Sequence, residues 1–156
     1  MPGTGPYIAD LKDGNVSKRG AAAAALGKAG DPAAIPALAC AAAADPHPSV
    51  RAGAVAALGR IGDTDAVPAL IQALADDEPA VRAAALAALG RIRDPASAAA
   101  VIPLLRDQKT EIRIGAATVL GQLGNRRAVG PLNELKDDPF GDVREAAAAA
   151  LRRLNR

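Results

Sequence analysis

At 156 residues the chain suits one domain of ordinary size, and it is 50% apolar with only 1% aromatic residues. A core without large rings must be built from Ala, Val, Ile and Leu, which favours close helix-to-helix contact over thick sheet packing. A net charge of +2 is too small to imply nucleic acid by itself, and Cys40, alone of its kind, excludes an internal disulfide and fits a reducing, cytoplasmic compartment.

Residues 1–6, MPGTGP, read as a flexible lead-in that lacks the charged start and apolar core of a signal peptide. Residues 7–12 read as the last turns of a truncated helix, and Asp13-Gly14-Asn15 breaks it. From there two kinds of helix alternate. The pattern is clearest in the third pair. Its first helix carries Val67, Leu70, Ile71 and Leu74 as one apolar stripe, with Asp63, Thr64 and Asp65 as cap candidates and Pro68 in the first turn. Asp76-Asp77-Glu78-Pro79 makes a tight turn into the second helix, whose stripe is Val81, Ala85, Ala88, Leu89 and Ile92. In the fourth pair Val101, Ile102 and Leu105 form the first stripe, and Pro103 falls inside the helix, where a kink or a restart near Ala100 is expected. The longest apolar run, residues 35–44, carries a proline and is too short to span a membrane.

The second helices repeat one motif. Lys18 begins KRGAAAAALGKAGD, Val50 begins VRAGAVAALGRIGD, Val81 begins VRAAALAALGRIRD, Ile112 begins IRIGAATVLGQLGN and Val143 begins VREAAAAALRRLN. The arginines at 19, 51, 82, 113 and 144 are separated by 32, 31, 31 and 31 residues. Lys18 stands where the other copies have Val or Ile. A fixed period of this size marks one supersecondary unit stacked on itself. No shift in composition marks a second domain, so residues 7–156 are expected to form a single all-α solenoid of roughly five helix pairs with a truncated first helix.

The shared pattern VRxxAxxALGxIGDxxAVPALIxAL resembles the HEAT-like repeat of the phycobilisome-lyase type over residues 7–156. That resemblance implies a right-handed superhelix with the first helices on the convex side and the second helices lining the concave side. It also implies that the arginine row (Arg19, Arg51, Arg82, Arg113, Arg144) joins the aspartates Asp31, Asp63 and Asp94, with Asn125 in the fourth copy, in a structural ladder of hydrogen bonds between repeats. An anion site is the alternative for the same arginines.

Little else carries chemistry. His47 is the only histidine and sits in a proline-rich turn, so no convergent metal site is expected. The iron-binding His-Glu pairs of HEAT-like hydroxylases are missing, as are GxGxxG and Walker-type loops and any motif around Ser17, Ser49 or Ser97. No enzyme activity, metal or cofactor is expected. Half a turn from the apolar stripes lie Ala52, Ala56, Gly59 and Arg60, and their equivalents in the other copies. Lys28, Ala56, Arg60, Ala87, Arg91, Ile114, Thr118, Gln122 and Arg153 therefore read as a concave floor of small residues with a basic rim. Such a floor can seat another protein with an acidic edge; the alternative is that alanine fills these positions by propensity alone. The expected role is a non-enzymatic protein-binding scaffold, with a bilin-lyase-like or other enzyme-associated chaperone subunit as the alternative. A nucleic acid or membrane partner is not expected, and homo-oligomerisation is left open.

Overall fold

A computed structural model describes residues 3–156. Every regular element among these residues is helical, and they fall into two compact units, one running to Ile92 and one from Arg93 to Arg156.

The first unit holds α1 (Gly5–Asp10), α2 (Val16–Ala29), α3 (Ile35–Ala44), α4 (Pro48–Ile61), α5 (Val67–Ala73) and α6 (Pro79–Ile92). The second holds α7 (Ala98–Val101), α8 (Thr110–Leu123), α9 (Val129–Glu134) and α10 (Gly141–Leu154). In the first unit α2 and α6 flank α4, while α3 and α5 pack across α4 and α6. In the second, α8 lies against α10, and α9 packs on α10. The second helix of each pair is long and regular; the first is shorter and, in every pair after α1 and α2, is preceded by a 3₁₀ turn. These are HEAT-like pairs, as the period predicts.

The lead-in differs from expectation where it can be seen. Met1 and Pro2 lie outside the described residues, but Gly5 and Pro6 already belong to α1. Proline suits that place because the first amides of a helix have no partner inside it. Pro103 does break its helix. The α-helical hydrogen bonds stop at Val101, and Ile102–Arg106 continues as a 3₁₀ helix with the proline in its first turn. The restart thus falls at Ile102, later than Ala100, and Leu104 turns inward beside Leu105.

The core is aliphatic. Leu26, Leu38, Val50, Val55, Leu58, Leu70, Val81 and Leu89 are fully buried in the first unit, and Leu105, Ile112, Leu120 and Leu132 in the second. Val55 and Gly59 are buried although they stand outside the stripe read from the sequence. A second helix touches its own first helix and also its neighbouring second helices, so more than one face is covered. Gly59 therefore belongs to the core and not to the exposed floor. A Cβ placed on it would lie 2.6 Å from Ala88 Cβ and 2.8 Å from Ala88 Cα. Gly27 meets Ala57, and Gly121 meets Ala150, in the same way.

This contact makes a sharp prediction within one helix. Gly59→Ala should lower stability by about 1–3 kcal/mol through overpacking. Gly53→Ala, on the same helix with nothing within 4 Å of the new methyl, should raise it by roughly 0.5–1 kcal/mol. Urea melts of both variants check the pair of signs.

Candidate functional site

Each arginine of the row sits in the first turn of a second helix and reaches back to the turn that precedes it. Nη1 of Arg19 donates to the Asp13 carbonyl at 3.0 Å, that of Arg51 to Asp45 O at 3.0 Å, and that of Arg82 to Asp76 O at 2.8 Å. Arg113 and Arg144 bond Asp107 O at 2.9 Å and Asp138 O at 2.6 Å. Arg19, Arg51 and Arg113 also reach forward. Arg19 holds the Asp45 carboxylate through Nε at 2.7 Å and Nη2 at 3.0 Å. Arg51 holds Asp76 at 2.8 and 3.0 Å, and Arg113 holds Asp138 at 2.8 and 3.2 Å. These are two-pronged bonds between planar groups of matching geometry.

The arginines are thus ladder residues, but their partners differ from those read from the sequence. Asp31, Asp63 and Asp94 face the backbone of their own turns. Their carboxylates accept from Ala33 N at 3.0 Å, Asp65 N at 2.9 Å and Ala96 N at 2.9 Å, and Asn125 does the same for Arg127 N at 2.9 Å. They cap the 3₁₀ turns that open the first helices. The residue before each cap is left-handed: Gly30, Gly62 and Gly124, and Arg93 at φ 58°. The true partners, Asp45, Asp76 and Asp138, recur with the same period just before each second helix, which is the one signal that could have found them.

The electrostatics follow the bonds. The hydrogen bond from Arg19 holds the Asp45 carboxyl below the ordinary carboxylate range, and that from Arg51 does the same for Asp76. Burial pushes Asp138 upward, but the bonds from Arg113 and the Phe140 amide, with the nearby guanidiniums, outweigh it. At the other end Lys18 is exposed, not in a core slot, since the short α1 leaves it uncovered. Its Nζ bridges Asp10 at 3.1 Å and Asp13 at 2.8 Å, and its bond to Asp13 raises its own pKa.

The residues of the expected floor lie along the second helices as follows. In the first unit Lys28, Ala56, Arg60, Ala87 and Arg91 are exposed, while the residues on either side of Ala56 and Ala87 are buried. Lys28, Arg60 and Arg91 make no hydrogen bond or ion pair among the described residues. In the second unit Thr118 and Arg153 are exposed and Ile114 and Gln122 half-buried; the Thr118 hydroxyl donates to Ile114 O at 2.9 Å. Arg153 lies against α8, its Cδ 3.6 Å from where a Gly121 Cβ would be.

Other chemistry is sparse. His47 Nδ1 and Ser49 Oγ are hydrogen-bonded at 2.8 Å in an exposed turn, but the nearby Asp45 carboxylate is held by Arg19 and the His47 amide. Among the described residues no three His, Cys, Asp or Glu side chains are grouped to hold a metal, and no helix is long and apolar enough to cross a membrane.

Comparison with known proteins places this architecture. A family model of HEAT repeats matches residues 6–80 and again 67–152. No curated protein sequence gives a match. A chain from the complex of CpcE and CpcF of phycocyanin lyase from Nostoc sp. PCC7120 is similar at TM-score 0.83 and 28% identity. The similarity covers 99% of this chain and 65% of that one, so this chain spans less than two thirds of its length. A designed armadillo repeat protein in complex with the peptide (KR)4 is similar at TM-score 0.75 and 18% identity, over 96% of this chain and 81% of that one. Human deoxyhypusine hydroxylase is similar at TM-score 0.68 and 19% identity, over 97% and 73%. The last two speak for the fold alone.

Two predictions follow from the bonded geometry. Arg51→Ala should lower stability by about 1–3 kcal/mol, because it strands the Asp76 carboxylate and the Asp45 carbonyl, whereas Arg91→Ala on the exposed stripe should change it by less than about 0.5 kcal/mol. Denaturant melts compare them directly. Because Asp45, Asp76 and Asp138 are depressed in the fold, their contribution is complete above the unfolded value of roughly 3.9 and is lost as pH falls through the lower folded values. Thermal melts should hold steady from pH 7 to about 5 and fall below about 4. The deficit of Asp76→Asn at pH 7 should shrink over the same acid range.

Proposed function

The chain belongs to the HEAT-repeat family, and from that premise we propose that it is a non-enzymatic scaffold that binds another protein through the exposed stripe of its second helices. One observation carries this reading. Nearly every cation at the start of a second helix is committed to the fold, while Lys28, Arg60 and Arg91 near the helix ends are exposed and unengaged among the described residues. Alanines such as Ala56 and Ala87 leave the surface between them low and smooth.

Neighbouring packed helices lie about 8–10 Å apart, close to the Debye length of roughly 8 Å at physiological salt. Like charges at that spacing repel one another in the free protein. A partner with an acidic edge would relieve the repulsion while covering the alanines. Charges at such a rim chiefly set the association rate and its salt dependence, while the buried centre sets residence time. A cytoplasmic setting is part of the proposal, because the exposed free thiol of Cys40 suits a reducing compartment.

A second reading is favoured by the 28% identity to the phycocyanin lyase chain: an enzyme-associated subunit of lyase type. Incubation with a free bilin separates the two. An unchanged absorption spectrum supports the scaffold, and a protein-dependent shift of the bilin band supports the lyase-type subunit.

The scaffold reading predicts the character of ligands selected without bias. Peptides taken from a random display library against the intact protein should be acidic. Arg60→Glu combined with Arg91→Glu should slow their association by about tenfold at low salt and flatten its salt dependence. Ala87→Trp should block docking by bulk with helicity unchanged. Selected peptides that are neutral or basic and bind all three proteins alike would refute the site.

A further inference from the structure

We propose that Arg93, Arg126 and Arg127 form an anion site on the second unit, which receives a phosphorylated serine or threonine side chain of a partner protein. The site is separate from the exposed stripe of the second helices. It shares with that reading only the premise that the partner is a protein.

The topology brings the three arginines to one edge. Short connections make the helices of a pair antiparallel, so the turn that opens a first helix lies at the end where second helices finish. Arg93 precedes Asp94, the cap of one such turn, and Arg126 and Arg127 follow Asn125, the cap of the next. The two turns belong to neighbouring pairs, since α9 touches the 3₁₀ continuation of α7. Helix packing sets such turns about 8–10 Å apart, a gap that long arginine side chains bridge.

All three residues are exposed, and no side chain among them has a hydrogen bond or ion pair to the described residues. That exposure belongs to the repeat. Pro95 and Ala96 hold the slots of Arg126 and Arg127 in the preceding pair, and they are exposed although α9 and α10 follow them. Pro32 and Ala33 are likewise exposed although α5 and α6 follow.

Two departures from the repeat point to a ligand. The caps of the other turns are the aspartates Asp31, Asp63 and Asp94, but Asn125 caps with a neutral amide, accepting Arg127 N at 2.9 Å. No carboxylate therefore stands beside Arg126 and Arg127 in their own turn. Asp94 is turned to its own backbone, where it accepts Ala96 N at 2.9 Å. Arg93, in turn, is left-handed at φ 58°, in the slot that Gly30, Gly62 and Gly124 occupy elsewhere. A side chain there carries a backbone strain that glycine avoids. No contact within the fold offsets it, because the guanidinium has no partner. An anion held from outside the chain does.

The donor set selects a phosphate monoester. A guanidinium fork matches phosphate and carboxylate oxygens alike. Three forks around one anion need three acceptor oxygens; a carboxylate has two, while a phosphorylated side chain has three and a charge of about −1.5 to −2 near pH 7. A long polyanion fits less well, because the patch is two turns long. In the first unit the equivalent turns offer neutral Pro32, Ala33 and Thr64, and Asp65 stands in the slot of Arg127.

The test uses the full protein and capped peptides drawn from a library with random residues around one central phosphoserine. Retained peptides should bind at least about tenfold more weakly without the phosphate, and at least about fivefold more weakly with aspartate in place of phosphoserine. They should bind at least about tenfold more tightly than inorganic phosphate. The side-chain Nε–H resonances of Arg93, Arg126 and Arg127 should shift saturably during NMR titration. Arg126→Lys with Arg127→Lys keeps the charge but loses the forks, and should weaken binding at least about fivefold. Arg93→Gly should weaken it about fivefold while raising the midpoint of thermal unfolding, a combination that a purely structural role would not produce. Lys28→Ala with Arg60→Ala, on the stripe, should leave it unchanged. Absence of a phosphate-dependent binder, binding indifferent to the lysine variant or to Arg93→Gly, or loss of binding in the stripe variant would overturn the site, and none of these touches the acidic-peptide test of the stripe. Inorganic phosphate binding as tightly as the peptides would make a free anion the occupant and overturn the choice of a protein partner. An oligothymidylate that displaces the peptides at lower concentration than they bind would make a nucleic acid the occupant and overturn it equally.

Discussion

A guanidinium that bonds in two directions is the constraint on which the rest of each unit depends. It donates backward to the carbonyls of its own turn and forward to the aspartate of the next. The backward bond fixes where the second helix begins. The forward bond fixes how far the following pair lies from it. Because the groups involved are nearly buried, with side-chain exposures of 10% and 5% for Arg19 and Asp45 and 11% and 6% for Arg113 and Asp138, neither could stand there alone without a large desolvation cost. Each satisfies the other, and no buried side-chain polar atom is left without a partner among the described residues.

The small residues act with this clamp. Gly27 against Ala57 and Gly59 against Ala88 let neighbouring second helices approach until their backbones nearly touch. A core without bulky rings packs well only at such short range, since gaps forfeit dispersion contacts. The close approach also decides what remains outside. With its flanks covered by neighbours and its back by its own first helix, a second helix keeps one narrow stripe in solvent. In α4, which lies between α2 and α6, that stripe includes Ala56 and Arg60. The position of the proposed binding face is therefore a by-product of the packing.

The sequence made the period, the two-helix unit and the exposed stripe legible, because each is a statement about spacing along a helix. Lys28, Arg60, Ala87 and Arg91 lie where helical periodicity puts them. The ladder was only half legible. Asp63 and Asp76 both repeat with Arg51, so period alone cannot say which carboxylate the arginine meets; that depends on how pairs stack, a contact 25 residues away in the chain. A clue was present in Asn125, which replaces the aspartate of the wrong row and still caps its turn, so charge is dispensable there. Gly59 was misread for a related reason: a single apolar stripe describes one packing partner, and α4 has several. The left-handed Arg93, where the other copies use glycine, leaves no mark in a pattern of apolar residues.

The clamp is tested most directly by a double-mutant cycle on Arg51→Ala and Asp76→Ala, measured by denaturant unfolding of the two single variants and the double variant. A two-pronged, charge-assisted bond between nearly buried groups should give a coupling of about 1.5–3 kcal/mol. A coupling within about 0.3 kcal/mol of zero would contradict it, and would mean that helix packing alone holds successive pairs in place.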